Sequence, residues 1–593
     1  MRFKKWVEVR KGADYATVCK QFNISLPFAR LLRNRGICDQ TAIENYLYGS
    51  LSMLADPSLL PDITEAVEIL GEAAAAGAPV RIIGDYDVDG ICASYILLQS
   101  LRKIGAVVDV DIPERKSDGY GLNARMVRKA AEDGIELILT CDNGISAYDA
   151  VDKAAELGLS VIVTDHHEVT GELPPADAVV DPKREDSDYA QRDICGAVVA
   201  WQVMRALYMH QGHDVYQLDE LLPFAALASV CDVVPLIGDS RVIVKEGLKK
   251  IRADYEPGKI PESYIGLFAL IEASSLEREH ISAYHLGFVL GPCINACGRL
   301  TSAKDALALL CEQDPVKAAK KAAMIRSLNE QRRQMTEEGI VSVEAEALKA
   351  QQHGDQVYVL FAPDCDETVA GIVAGRIRES DYRPTIVLTK TQDGLIRGSG
   401  RSVPGYDLFS ALHHHADLFE KFGGHEQAAG LTIQEERIAA LRKALNAQEP
   451  PQEDVLTEKV FLDMVLPFSQ CSEDLVREVS LLEPCGPGNR RALFAARHVR
   501  IDSVRLLGKD NRVLSFYGDD GSGVRMSCVY FGDTGKVIDT IYDESGIRID
   551  DAADAQKIQD NLRLTLAYTL NVNEYRGNRN VQAIVRDVLV EKD

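Results

Sequence analysis

Short apolar runs of strand length recur through the first third of the chain, and most are separated by segments long enough to be helices. The runs are Val80 to Gly84, Val107 to Ile112, Leu137 to Thr140, Val161 to Thr164 and Ala178 to Val180; Ser94 to Ile104, Ala124 to Ala131 and Ala147 to Leu157 carry helical patterning between them. Strands joined by helical crossovers run parallel, so the pattern predicts an α/β domain whose strand carboxyl ends all lie on one edge of a sheet. Ligands bind along that edge. Here it carries charge: the first run leads into Asp85, Asp87, Asp89 and Gly90, the third into Asp142, Asn143 and Gly144, and the fourth into Asp165, His166, His167 and Glu168.

Carboxylates converging across a crevice repel one another unless a cation neutralises them. A lone DxD is usually a solvated turn and a lone histidine pair is usually satisfied inside a core. Three such clusters at strand ends point instead to divalent metal. Asp87 and Asp89 on a tight turn would face neighbouring cations, with Asp142 bridging them. His166 and Asp232, the latter following the apolar stretch Leu222 to Val230, would complete the shell. Mixed carboxylate and imidazole ligands suit manganese, with magnesium a close competitor. Two ions roughly 3.5–4 Å apart would activate water and stabilise in-line displacement at phosphorus, so the expected chemistry is phosphoester hydrolysis.

At 593 residues the chain exceeds what one core supports, and breaks in pattern divide it. Residues 1–78 read as a helical cap on the α/β domain, which extends over 79–312 and ends in mostly helical sequence. Asp314 and Pro315 offer an N-cap and a first-turn proline to one long connecting helix over 313–352. Strand period returns in a second α/β domain, 353–448, closed by the linker Glu449, Pro450, Pro451 and Gln452. Alternating strands with Gly and Asn turns over 453–593 predict a small sheet or barrel. A net charge of -24 argues against general attraction to polyanions, so any nucleic acid must be met by a local basic groove or by metal. The thirteen cysteines lack framework or zinc spacing, and Met1 to Lys11 has no apolar leader pattern; a reduced, cytoplasmic protein without membrane spans is expected.

The ordered set DYDVDG (Asp85 to Gly90), SDGYGL (Ser117 to Leu122), TCDNGIS (Thr140 to Ser146), TDHHE (Thr164 to Glu168), CDVVPL (Cys231 to Leu236) and FGGHEQAAG (Phe422 to Gly430) resembles the DHH phosphoesterases over nearly the whole chain, and within them the branch specific for single-stranded DNA. The resemblance implies a DHH domain with a parallel sheet, a long helix, a DHH-associated domain and a C-terminal OB-type β-barrel. It implies 5′ to 3′ removal of nucleotides from single-stranded DNA with two Mn²⁺ or Mg²⁺ ions, in recombination and repair. Asp85, Asp87, Asp89, Asp142, His166 and Asp232 would then be the ligands. His167 would sit beside the scissile phosphate and Asp165 would orient the imidazoles.

For phosphate, Asn295, Gly298 and Arg299 in INACGR resemble the family's substrate-binding turn, Arg299 being suited to a bidentate contact. Two glycine-rich loops, Gly398 to Ser402 with Ser399 and Arg401, and Gly423 to His425 with Gly424, would grip the strand through backbone N–H groups and the Arg401 guanidinium. Arg115 and Tyr120 would contact the terminal nucleotide. Tyr568, Tyr575, Arg576 and Arg579 would stack on and hold unpaired bases, and the basic run Lys317, Lys320, Lys321, Arg326, Arg332 and Arg333 would line a channel, although single residues of this kind are as often packing or a solvated face. The chain departs from the family pattern at Cys293, at Cys485 and in DCDETV (Asp364 to Val369), where an acidic surface would repel DNA. Expected partners are single-stranded DNA, with a single-strand-binding protein and a RecQ-type helicase as further candidates, and a monomer is expected. The rival readings are a DHH-type oligoribonuclease or dinucleotide phosphodiesterase, and a non-catalytic DNA-binding scaffold.

Overall fold

The computed structural model describes residues 4–115, 117–256, 258–391, 394–447, 454–551, 554–575 and 577–591. Two compact units are present, one built from residues 50–456 with 486–488 and the other from 1–49, 457–485 and 489–593.

In the larger unit the first sheet is wholly parallel, ordered Val108–Asp111, Val80–Gly84, Leu137–Cys141, Ser160–Thr164 and Ala178–Val180. The three middle strands are buried nearly throughout because helices cover both faces, as parallel sheets require. The helix Val88–Lys103 is buried along most of its length among the helices Gly196–Gln211 and Leu222–Cys231. The expected connecting helix is Pro315–His353, with the Asp314 side chain accepting from Val316 N and Lys317 N and Gly354 closing it in a left-handed conformation. On this helix Lys321, Arg326 and Arg333 pair with Glu312 and Glu330, as on an ordinary solvated face.

The second sheet is mixed, ordered Phe419–His425, Ala428–Ile433, Ile396–Arg401, Thr385–Lys390 and Tyr358–Phe361. This corrects the reading of Gly398 to Ser402 and Gly423 to His425 as loops, since both fall mainly within strands. The glycines answer to packing: a Cβ on Gly398 would stand 2.6 Å from Leu388 and one on Gly400 2.7 Å from Leu408. INACGR is likewise not a turn but part of the helix Gly291–Leu300.

In the smaller unit Phe494–Leu507, Val513–Asp519, Arg525–Phe531, Asn578–Val590 and Arg563–Tyr575 form a sheet that closes into a ring through pairing of the first with the last. Residues 4–49, the larger part of the expected N-terminal cap, group with this unit. Lys4–Glu8 pairs in parallel with Glu458–Leu462, and Phe28, Leu31, Leu32 and Ile43 share a core with Phe468 and Phe494. The helix Leu26–Asn34 has an apolar face, but its partner lies more than 400 residues away and leaves no local trace. Ile63–Ala76, by contrast, does pack on the parallel-sheet core through Ile63, Ala66, Val67 and Leu70. Tyr568 is fully buried with its hydroxyl donating to Leu466 O, so it offers no stacking face. Arg579 lies 3.6 Å from Glu473, and the side chains of Tyr575 and Arg576, like the 449–452 linker as a whole, lie outside the described residues. Among the described residues, no helix is long and apolar enough to cross a membrane.

Candidate metal centre and substrate cavity

The sheet's carboxyl edge gathers its acidic tips by three local devices. Asp87 caps the helix Val88–Lys103, its Oδ1 accepting from Asp89 N and Gly90 N, and so holds the DxD turn closed. Gly90 is obligatory there, because a Cβ would come within 2.5 Å of the Asp85 backbone. Asp89 is in turn received by the amino end of another helix: Gly196 N and Ala197 N donate to its two carboxylate oxygens at 2.6 and 2.8 Å. Unpaired N–H groups and the helix dipole favour an anion at that position. Asp142 and Val233, the latter next to Asp232, adopt left-handed φ values of 60° and 62°, strain of a kind that concentrates at functional sites.

These devices bring the expected ligands together. His166 Nε2 lies 3.0 Å from Asp142 Oδ1 and 3.5 Å from Asp89 Oδ2, and its Nδ1 lies 3.8 Å from Asp232 Oδ2. One potential ligand group is Asp89, His166 and Asp232; another is Asp85, Asp87 and Asp142; a third joins Asp142 to Asp165, His166 and His167, with donor atoms in each group within 4.8 Å of one another. Asp142 therefore belongs to two groups.

The electrostatics fit a cation. Burial first, and then neighbouring carboxylates, push Asp85, Asp89 and Asp232 up to about 7 and hold Asp142 well above the usual carboxylate range. Burial lowers the His166 value, favouring the neutral imidazole that binds metal. The buried Asp85 Oδ1 has no hydrogen-bond partner among the described residues. A divalent ion would relieve the repulsion and satisfy that oxygen in one step.

Asp165 stands behind this set. Its Oδ1 accepts from His166 N and takes part in a 2.7 Å bond with His167 Nδ1, while Oδ2 accepts from Ile145 N. Burial opposes its charge, yet the His167 bond keeps Asp165 below the ordinary value. The same bond overcomes burial to raise His167 to about 9. The Tyr120 hydroxyl donates to Asp142 O at 2.8 Å and lies 3.3 Å from the His167 ring. Arg115 stacks over Tyr86, in the turn between Asp85 and Asp87, at 5.4 Å.

A cavity of about 900 Å³ lies between the two α/β domains of this unit. Arg115, Arg299, Ser399, Lys390, Arg397 and Lys421 bring polar and positive groups to its wall, opposite Asp364, Asp366 and Glu367 of the departing segment. Arg299 donates to Thr368 O at 2.8 Å, and burial, reinforced by Arg115, lowers it to about 10. Arg401 bonds Gly400 O and Ser399 Oγ. Asn295, Gly424 and His425 do not line this cavity. Cys293 is fully buried. No signal in the sequence marked Gly196, Ala197, Tyr86, Lys390, Arg397 or Lys421. Only the small-residue start of an apolar helix at Gly196 could have hinted at the first pair.

Comparison with known proteins agrees with this geometry. Residues 79–228 match the DHH family N-terminal domain and 354–449 the DHHA1 domain, which together define a DHH phosphoesterase architecture. Residues 462–587 match the RecJ OB domain. The chain is 34% identical over 585 residues to the single-stranded-DNA-specific exonuclease RecJ of Dickeya dadantii, covering 95% of this chain and 96% of that one, and 31% identical over 581 residues to that of Escherichia coli, covering 94% and 95%. It superposes on the crystal structure of RecJ in complex with Mn²⁺ from Thermus thermophilus with a TM-score of 0.79 at 28% identity, covering 99% of this chain and 80% of that one. The Mg²⁺ complex of the same protein gives 0.74 at 26% identity, covering 99% and 79%. The chain belongs to the RecJ family of single-stranded-DNA-specific exonucleases.

Proposed function

We propose that this chain is a metal-dependent exonuclease that hydrolyses single-stranded DNA from its 5′ end to mononucleotides. The observation that carries the reading is the set of three overlapping ligand groups, two of which share Asp142 and two of which share His166, beside a cavity with a mainly cationic wall. Asp85, Asp87, Asp89, Asp142, His166 and Asp232 would hold two Mn²⁺ or Mg²⁺ ions. When bound, the ions supply Lewis-acid activation of water and stabilisation of charge at phosphorus. Asp165 keeps the His167 imidazole oriented, so that its other ring nitrogen is held for a phosphate oxygen. Arg299, steered by the Thr368 carbonyl, and Arg115, braced on Tyr86, receive the flanking phosphates. Ser399 and Lys421 line the same wall and extend the grip towards the terminal nucleotide. The ring-closed sheet of the smaller unit would hold the strand further along.

The test uses full-length chain with Mn²⁺ and single strands labelled at either end. Early release of a 5′ label as mononucleotide supports the reading. Release from the 3′ end alone overturns the polarity, and preference for a dinucleotide over a long strand overturns the substrate. A single-strand-binding protein and a RecQ-type helicase are the protein partners to test by co-sedimentation. That measurement also reads the proposed monomeric state. In this reading the protein acts in the cytoplasm, in recombination and repair.

A further inference from the structure

The segment that precedes Leu122 is zipped onto the loop that follows the central strand. Leu122 N donates to Asn143 Oδ1 at 3.0 Å, Asn143 Nδ2 reaches back to Ile83 O and Cys141 O, and Gly121, at φ 66°, lies so close that an added Cβ would meet the Asn143 side chain at 2.9 Å. The last tooth of this zipper is the Tyr120 hydroxyl on the carbonyl of Asp142. Asp142 is buried, left-handed and common to two ligand groups, so its carboxylate direction follows from how its peptide is held. The Tyr120 residue is itself 52% exposed, with its ring edge-on to Tyr86 at 6.4 Å.

We propose that Tyr120 is a positioning residue of the metal centre: its hydroxyl pins the strained Asp142 peptide and thereby aims the carboxylate that joins the Asp85 and Asp87 group to His166 of the Asp89 and Asp232 group. The proposal rests on the two-ion reading and extends it to a residue that need not ligate metal. A left-handed non-glycine residue persists only when its surroundings over-determine it, and hydrogen bonds that orient ligands typically change metal affinity by about 10- to 100-fold when removed. Because Asp142 belongs to the group with Asp85 and Asp87 and its Oδ1 lies 3.0 Å from His166 of the group with Asp89 and Asp232, loss of the pin weakens both ion-binding steps rather than one. Because the ring is half-exposed, a strand pressing on it bears on the same peptide, which ties substrate contact to ligand orientation.

The experiment is Mn²⁺ titration of full-length chain by calorimetry and electron paramagnetic resonance, comparing wild type with Tyr120→Phe and Tyr120→Ala, with thermal melts of the metal-free proteins alongside. The expected result is a loss of about tenfold in each of two Mn²⁺ steps for Tyr120→Phe, a similar loss for Tyr120→Ala, and matched metal-free melting for wild type and Tyr120→Phe. Wild-type affinity in Tyr120→Phe overturns the proposal, as does loss in one step only. A large deficit in Tyr120→Ala with none in Tyr120→Phe assigns the effect to ring packing and overturns it too. Failure of wild type to bind two ions sinks the two-ion reading itself, a result distinguishable from all of these.

Discussion

Gly196 opens a helix, ligates nothing, and yet stands between two of the carboxylates that matter most. Its N–H donates to Asp89 Oδ2 at 2.6 Å, and a Cβ added to it would lie 2.7 Å from Asp142 Cβ, 2.9 Å from Asp142 Cα and 3.1 Å from Asp142 Oδ1. Carbon atoms in contact prefer about 3.5–4.0 Å, so Gly196→Ala forces a displacement of nearly an ångström on Asp142 or on the helix that receives Asp89. Overpacking of this size costs about 1–3 kcal/mol, which corresponds to roughly 5- to 150-fold in an equilibrium constant. If the backbone yields by turning Asp142, the cost falls on metal binding; if it resists, the cost falls on folding. Mn²⁺ affinity by calorimetry and metal-free melting temperature read the two channels, and their sum should reach the predicted range. Unchanged affinity together with an unchanged melt would refute the claim that this close approach shapes the centre.

Arg299→Ala, which removes a guanidinium from the cavity wall, should raise KM for single-stranded DNA by about tenfold and flatten its salt dependence; Arg299→Lys should restore only part, since one ammonium cannot both hold Thr368 O and chelate a phosphate. Asp85, Asp89 and Asp232 are raised from 3.8 to about 7, so in the metal-free chain their contribution to stability is complete below about 4 and is lost as pH rises towards 7. Metal binding needs the deprotonated carboxylates, so the rise in melting temperature on adding Mn²⁺ should grow from pH 5.5 to pH 8, and a flat or falling increment would contradict this. Asp181, buried with Oδ2 unpartnered among the described residues and raised to about 7 chiefly by burial, follows the same sign, so Asp181→Asn should gain stability relative to wild type as pH rises from 5 to 8 in chemical denaturation. Phe28→Ala should cost about 3–5 kcal/mol and lower the transition of the unit containing the ring-closed sheet, which differential calorimetry of the full chain resolves; a shift confined to the other transition would place the N-terminal helices elsewhere.

Strand period and helix length were enough to place the parallel sheet, because each apolar run carries its own signal and the crossover rule then orients its neighbours. The acidic tips were legible for the same reason: a residue that directly follows a strand has few places to go. Asp85, Asp87, Asp89, Asp142, His166 and Asp232 accordingly meet within a few ångströms. Motif reading did less well where function and packing use the same residue type. Gly398 and Gly400 read as phosphate loops but serve a sheet that needs small residues beneath Leu388 and Leu408, and Tyr568 read as a stacking platform but fills a core.

What escaped local pattern is contact between segments far apart in the chain. Nothing near Phe28 announces Phe468 and Phe494, and nothing near Gly196 announces Asp89 and Asp142. Residue order alone thus supplied the strands and helices of the parallel-sheet domain, the sheet edge and the anionic residues that follow its strands, since these follow from periodicity and chain connectivity. Folding in three dimensions settled which helix receives Asp89, which hydroxyl restrains Asp142, and where the N-terminal helices dock. Those choices depend on surfaces complementary across hundreds of residues, and complementarity has no period to read.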